Sequence, residues 1–223
     1  MPRPSNRPRR PSQMWGTFIR NHLAGTLAVD FFTVPTVTFD VLYVFFALSL
    51  ERRRLLHVHV TAHPYAAWAA QQLVEAFGPD GAFRLLIRDR DKIFGNAFDH
   101  RVDNLGVQQL RIAPRSPWQN GYAERLVGTL RRELTDHLIV LSERHLRRCV
   151  REYARFYNED RPHMSLAGDA PARRRVEPPA VETGCRATAR RRTPPSIRES
   201  SVNALMRFSA AKSAHESGWR CAS

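Results

Sequence analysis

Two apolar runs, Leu27–Val34 (LAVDFFTV) and Phe39–Leu48 (FDVLYVFFAL), stand close together near the start of the chain. The second is unbroken by charge after Asp40. A short continuous apolar run suits a β-strand covered on both faces, because a strand with one face in water alternates instead. Such strands need helices on both sides of their sheet, which holds the chain to an α/β architecture. The first run contains one acid, Asp30. A carboxylate there costs free energy unless it meets a cation, a partner or an edge of the sheet.

The remaining pattern extends that sheet. Leu55–Thr61 (LLHVHVT) alternates and predicts a third strand, and the short segments between the three predict an antiparallel meander. Pro64 opens a helix, AAWAAQQLVEAF, with Ala67, Ala70, Leu73, Val74 and Phe77 on one stripe, and Gly78-Pro79 ends it. Phe83–Ile87 predicts a short buried strand leading to Arg88-Asp89, residues 96–105 a weak helix, and Val107–Ile112 a last strand. Beyond the loop Ala113–Gln119 (APRSPWQ), helices are predicted from Asn120 to His137 and from Ser142 to Tyr157. The order βββαβαβαα implies a mixed five-stranded sheet with helices on both faces.

Charge divides the chain in the same places. The formal net charge is +14, of which residues 1–20 carry +5 and residues 171–223 carry +7, leaving the middle nearly neutral. The expected organisation is a flexible Pro/Arg-rich arm over 1–20, a folded core over 21–170 and a basic tail of low order over 171–223. A short amphipathic piece around Val202–Phe208 is the one element expected in that tail. Basic tails of this kind grip polyanions or simply stay solvated, so charge only favours a nucleic-acid partner. Cys149, Cys185 and Cys221 are scattered and form no C-x-x-C pair, which excludes a zinc knuckle or a disulfide framework. The longest apolar run is too short to span a bilayer, and the N-terminus lacks an apolar signal stretch. A cytoplasmic, nucleoid-associated protein is expected.

Three acids fall where this order would bring them together: Asp30 within the first strand, Asp89 at the end of the fourth and Glu124 in the first turns of the long helix. Three converging carboxylates repel one another unless divalent cations sit among them, and all-oxygen sites favour Mg²⁺ or Mn²⁺. Against this stands the plainer reading, an Asp at a strand edge and a Glu on a solvated helix face. Asp40 opens its strand and would face solvent, which makes it a weaker rival to Asp30. Asp91 competes with Asp89, but Asp89 closes the apolar strand; Asp91 is expected to be a supporting or surface residue.

Asp30 in AVDFF, Asp89 in LIRDRDKIFG and Glu124 in SPWQNGYAERLVGTLRREL resemble the catalytic core of the integrase superfamily, and within it the DDE transposases of bacterial insertion sequences. Thirty-four residues separate Asp89 from Glu124, the interval in which that family carries its signature, and RPHMSLAGDAP (161–171) resembles the end of the core. The resemblance covers roughly residues 14–180. It implies an RNase H-like fold, DNA as substrate (transposon ends and target), two Mg²⁺ or Mn²⁺ ions held by the three acids, and cleavage followed by strand transfer from a 3′-hydroxyl. It also implies a homo-oligomer working on DNA. Residues carried over as DNA-binding are Asn120, Gln119, Arg115, Arg125 and Arg131, with Ser116 in the same loop. Asn120 reads equally well as a helix N-cap. Gly121 allows close approach of DNA or eases a turn, and Arg125 and Arg132 read first as a solvated face. Trp118 stacks on a base or anchors the loop in the core.

His57, His59 and His63 lack a third ligand at suitable spacing and are expected to be structural or surface groups. Tyr153, Phe156 and Tyr157 are expected to pack. The family's usual helix-turn-helix region has no room before the first strand, so end recognition is expected from a separate helix-turn-helix protein. The rival readings are a truncated, non-catalytic DNA-binding remnant and a nuclease acting on RNA–DNA hybrids.

Overall fold

The structure, a computed structural model, describes residues 13–78 and 83–173. Its elements are α1 (Gln13–His22), β1 (Thr26–Pro35), β2 (Val41–Ser49), β3 (Arg54–Thr61), α2 (Ala66–Phe77), β4 (Leu85–Arg88), α3 (Asn96–Asn104), β5 (Gln108–Arg111), α4 (Gly121–Glu133) and α5 (Glu143–Glu159). The strands form one mixed sheet in the order β3-β2-β1-β4-β5. β1, β2 and β3 make the expected antiparallel meander, and β4 and β5 add in parallel on the other side of β1. No helix among the described residues is long and apolar enough to cross a membrane.

Strand alternation divides the core into two layers. From β1, Ala28, Phe32 and Val34 face a cluster with Leu126 and Leu130 of α4 and Leu146, Val150 and Tyr153 of α5. Leu27 and Val29 face the other cluster, with Ala69, Ala70 and Leu73 of α2 and Phe98 and Val102 of α3. This is the arrangement expected from the unbroken apolar runs. Asp30 belongs to the even-numbered set and so shares the α4–α5 face.

Two boundaries differ from the sequence reading. The arm expected over 1–20 gives way at Gln13 to α1, which packs on the core through Ile19 and through a hydrogen bond from Trp15 Nε1 to the Gln119 carbonyl, 3.2 Å. Its spacing of Trp15, Phe18 and Ile19 is helical, but the Pro/Arg run before it dominates the composition. Residues 1–12 lie outside the described residues, as does the stretch 174–223 that includes Val202–Phe208. The helix expected over Asn120–His137 is also broken, because a 3₁₀ turn (Pro117–Asn120) precedes α4 and another (Thr135–His137) follows it.

The second break coincides with a tertiary clamp. Glu133 accepts a bidentate pair from Arg161, 2.6 Å at the shortest, and a 2.6 Å bond from the Tyr153 hydroxyl. This ties the end of α4 to α5 and to the segment beyond it. Burial pushes the Glu133 carboxyl up, but the Arg161 and Tyr153 hydrogen bonds together hold it below its ordinary 4.5. A carboxyl lowered by folding stabilises above its unfolded value, and that contribution is lost as pH falls through the folded one. Glu133→Gln should therefore destabilise near neutrality by on the order of 1 kcal/mol, given the partial exposure of the pair. Urea titrations at pH 7 and below pH 4.5 should show the gap from wild type closing on acidification. A gap that widens would contradict the clamp.

Candidate active site

β1 and β4 run side by side with Thr26 beside Leu85, Leu27 beside Leu86 and Ala28 beside Ile87. Carried two residues further, that register sets Asp30 beside Asp89. Ala28 and Ile87 both belong to the α4–α5 layer, and positions two residues on repeat the face. The pair therefore projects toward α4, the helix that carries Glu124.

Asp30 is only 9% exposed. Its Oδ1 accepts from the Phe31 backbone N–H at 2.8 Å and its Oδ2 from Asn120 Nδ2 at 3.3 Å. Burial pushes its carboxyl up to about 7; the neighbouring charges of Asp89, Glu124 and Asp91 add to the rise, and the Phe31 N–H opposes it. Asp89 directly follows β4 and is half-buried. Burial raises it as well, against the Asp91 N–H, which donates to Asp89 Oδ1 at 3.0 Å. Asp91 is exposed and accepts from the Ile93 N–H at 2.9 Å, so it shapes the turn that presents Asp89, the supporting place expected of it. Asp40 is exposed in the β1–β2 turn, bonded to Thr38 Oγ1 at 2.7 Å.

Glu124 lies on the first turn of α4 and is exposed, while Ala123, Leu126 and Leu130 fill the buried stripe. Its charge reaches Asp30, yet among the described residues no three His, Cys, Asp or Glu side chains are gathered closely enough to hold a metal ion. The donors are all oxygen and mutually repulsive, which suits a hard divalent cation; the gathering of the third carboxylate is not displayed.

Asn120 makes no side-chain cap at the start of α4. It is 2% exposed and points Nδ2 at Asp30 instead, so the cap reading does not hold. Gln119 Oε1 accepts from the Ala113 N–H at 2.6 Å, closing the loop on itself. Ser116 is buried in that loop, and Arg115, at φ 58°, is exposed on it. Arg125 and Arg131 are exposed on α4. His57 is paired with Gln72 Oε1 at 2.9 Å and stacked beside His59, as expected of structural groups. Tyr153 and Tyr157 are buried in the core.

Sequence reasoning missed Arg88. It stands on the opposite face from Asp89, 2% exposed, with Asp99 Oδ1 at 2.5 Å, Gln109 Oε1 at 3.0 Å and the Asp89 carbonyl at 3.1 Å. The rings of Phe94 and Phe98 lie 5.3 and 5.6 Å from its guanidinium. Its flanking apolar residues were the available signal, since a charge next to LLI must be buried with a partner.

Residues 105–171, from the end of α3 past α5, match the family described as integrase core domain. The fold of the chain is that of integrase catalytic cores. It is similar to a chain of the simian T-cell lymphotropic virus intasome solved with PP2A regulatory subunit B56 gamma, at TM-score 0.54 and 13% identity over 73% of this chain. It spans 60% of that chain's length. The HTLV-2 integrase catalytic core domain solved with magnesium matches at TM-score 0.53 and 10% identity, over 66% of this chain and 93% of that one. The BIV integrase catalytic core domain matches at TM-score 0.50 and 14% identity, over 66% and 91%. At such identities the likeness is one of fold. Among curated proteins, none matches this chain in sequence.

Proposed function

We propose that the protein is a DDE-type polynucleotidyl transferase that cuts DNA and joins a 3′-hydroxyl end to a target strand, as transposases of insertion sequences do. The observation that carries this reading is the place of Asp30 and Asp89 two residues beyond the paired Ala28 and Ile87 of parallel β1 and β4, where the Asp89 charge acts on Asp30, with Asn120 bonded to Asp30. Asp30, Asp89 and Glu124 would hold one or two Mg²⁺ or Mn²⁺ ions. Bound there, such ions supply activation of the attacking oxygen and charge neutralisation at the leaving one.

The chain's own groups divide the remaining work. Phe31 N–H and Asn120 fix the orientation of the Asp30 carboxylate, and Asp91 N–H does the same for Asp89. Exposed Arg115, Arg125 and Arg131 provide phosphate contacts along the DNA, where bidentate guanidiniums suit the geometry. Phosphoryl transfer asks little covalent chemistry of side chains, so positioning and charge carry the rate. The acting form is a homo-oligomer on DNA.

Nicking of supercoiled plasmid in Mg²⁺ or Mn²⁺ tests this. Glu124→Gln should lower the rate at least about a hundredfold, the loss of a few kcal/mol of transition-state stabilisation. Equal rates for wild type and Glu124→Gln would overturn the reading. A second reading, a non-catalytic DNA-binding remnant, is favoured by the exposed Glu124 and the ungathered carboxylates. Metal-independent binding without any nicking by wild type would select it.

A further inference from the structure

A cavity of about 240 Å³ opens beside Asn120, between α1 and the start of α4. Its floor is apolar, made by Ile19, Leu50 and Ile87. Two indoles line it, Trp15 from α1 and Trp118 from the 3₁₀ turn. Three guanidiniums, Arg20, Arg53 and Arg125, complete the lining, and no carboxylate does. Among the described residues none of the three makes an ion pair. Arg53 lies 5.3 Å from the Tyr122 ring centroid, a contact that leaves its charge uncompensated. Asn120 also lines the cavity, and its buried Oδ1 has no hydrogen-bond partner, while its Nδ2 is committed to Asp30.

We infer that this cavity receives one unpaired base of the DNA strand at the active site, with the flanking phosphates on Arg20, Arg53 and Arg125. The inference deepens the DNA strand transferase reading and rests on it. Each part of the cavity selects for a nucleotide. The indoles and apolar floor suit a planar ring, which stacks on aromatic side chains whatever its sequence. Three uncompensated cations without an acid favour a polyanionic chain over a neutral ligand. The volume lies below the roughly 300–1,000 Å³ of a drug-sized pocket, which limits the occupant to a single base.

Its position gives the occupant a purpose. Asn120 touches both the cavity and Asp30, so a base held here keeps its own phosphodiester beside the carboxylates. Drawing a base out of a duplex costs a few kcal/mol, whereas an already unpaired base enters without that cost. The cavity therefore makes the protein prefer DNA with an unpaired nucleotide over fully paired DNA.

The test uses the full chain in EDTA with two fluorescent probes, a blunt duplex and the same duplex with a three-nucleotide overhang carrying 2-aminopurine. Wild type should bind the overhang probe at least about fivefold more tightly and quench its 2-aminopurine. Trp118→Leu should lose about tenfold on the overhang probe, as expected for one stacked base, and stay within about twofold on the blunt duplex. Arg53→Gln should flatten the salt dependence on the overhang probe by about one counterion. Trp15→Leu should repeat the Trp118 result, with its melting temperature followed because Trp15 also ties α1 to Gln119. Equal wild-type affinity for the two probes, or equal losses on both in Trp118→Leu, would overturn the inference. Failure of the transferase reading looks different, since it removes plasmid nicking and leaves the overhang preference in place.

Discussion

Asp30→Asn should abolish metal-dependent nicking while making the metal-free protein more stable at pH 8. The two effects share one cause. Asp30 is buried beside other carboxylates, and its carboxyl is pushed up from 3.8 to about 7, by burial first and then by Asp89. Between those values the folded chain binds more protons than the unfolded one, so stability falls as pH rises from about 4 to about 7 and is flat above. The difference sets a ceiling of roughly 4 kcal/mol on the cost of an ionised Asp30 at pH 8, at about 1.4 kcal/mol per tenfold. Asn removes the charge and keeps the shape. It can still accept from the Phe31 N–H, and a half-turn of the Asn120 amide offers its unpartnered Oδ1 to the new NH₂.

Thermal melts in EDTA at pH 5.5 and pH 8 measure this directly. Wild type should lose stability between the two, and Asp30→Asn should be level and the more stable at pH 8. Each kcal/mol is worth roughly 2–4 °C in a chain of this size. Added Mg²⁺ at ten times its Kd should restore about 1.4 kcal/mol to wild type and nothing to the variant. Nicking by Asp30→Asn should fall at least about a thousandfold. A variant less stable than wild type at pH 8, or equally responsive to Mg²⁺, would sink the account. Asp30 is thus a carboxylate held where folding alone disfavours it.

How far the chain could be read in advance depended on whether local pattern or tertiary contact decides a feature. β1, β2 and β3 were legible because apolar runs report burial directly, and Asp30 was legible as the one charge inside the first of them. α1 was obscured by the Pro/Arg stretch before it, although Trp15 and Ile19 have helical spacing. The end of α4 is invisible locally; LRRELTDHL continues a helical pattern, and the chain turns at Leu134 beside the bond from Glu133 to Arg161, 28 residues away. Asn120 was left open between cap and site because only the sheet register decides what lies opposite it. The loop bond from the Ala113 N–H to Gln119 Oε1 was likewise beyond reach of local pattern, because it joins the two ends of the loop. Spacing placed Glu124 near the acids without fixing its side chain, which leaves it exposed on α4.

The second large effect concerns Arg88, the cation buried behind Asp89, and its sign pattern is asymmetric. Asp99 bridges Arg88 at 2.5 Å and Arg111 at 2.8 Å. Burial lowers the Arg88 pKa and Asp99 opposes that, but a guanidinium keeps its charge in either case. Asp99→Asn therefore strands a buried cation with neutral hydrogen-bond and ring partners, the Gln109 amide, the Asp89 carbonyl and the Phe94 and Phe98 rings, and only the weaker pull of the Asp89 carboxylate for countercharge. Breaking a buried pair in this way costs about 3–5 kcal/mol. Arg88→Met should cost less, because Asp99 keeps Arg111, and a flexible thioether fills the space between the two rings. Urea unfolding should rank wild type first, Arg88→Met next and Asp99→Asn last. The double variant should cost less than the sum of the singles, since removing the cation removes what Asp99→Asn strands. Arg88→Met should nevertheless nick DNA more slowly than its stability explains, because the Arg88 bond to the Asp89 carbonyl holds the end of β4 where the carboxylate leaves the sheet. An Asp99→Asn protein within about 1 kcal/mol of wild type would show that the rings and carbonyls alone satisfy the cation.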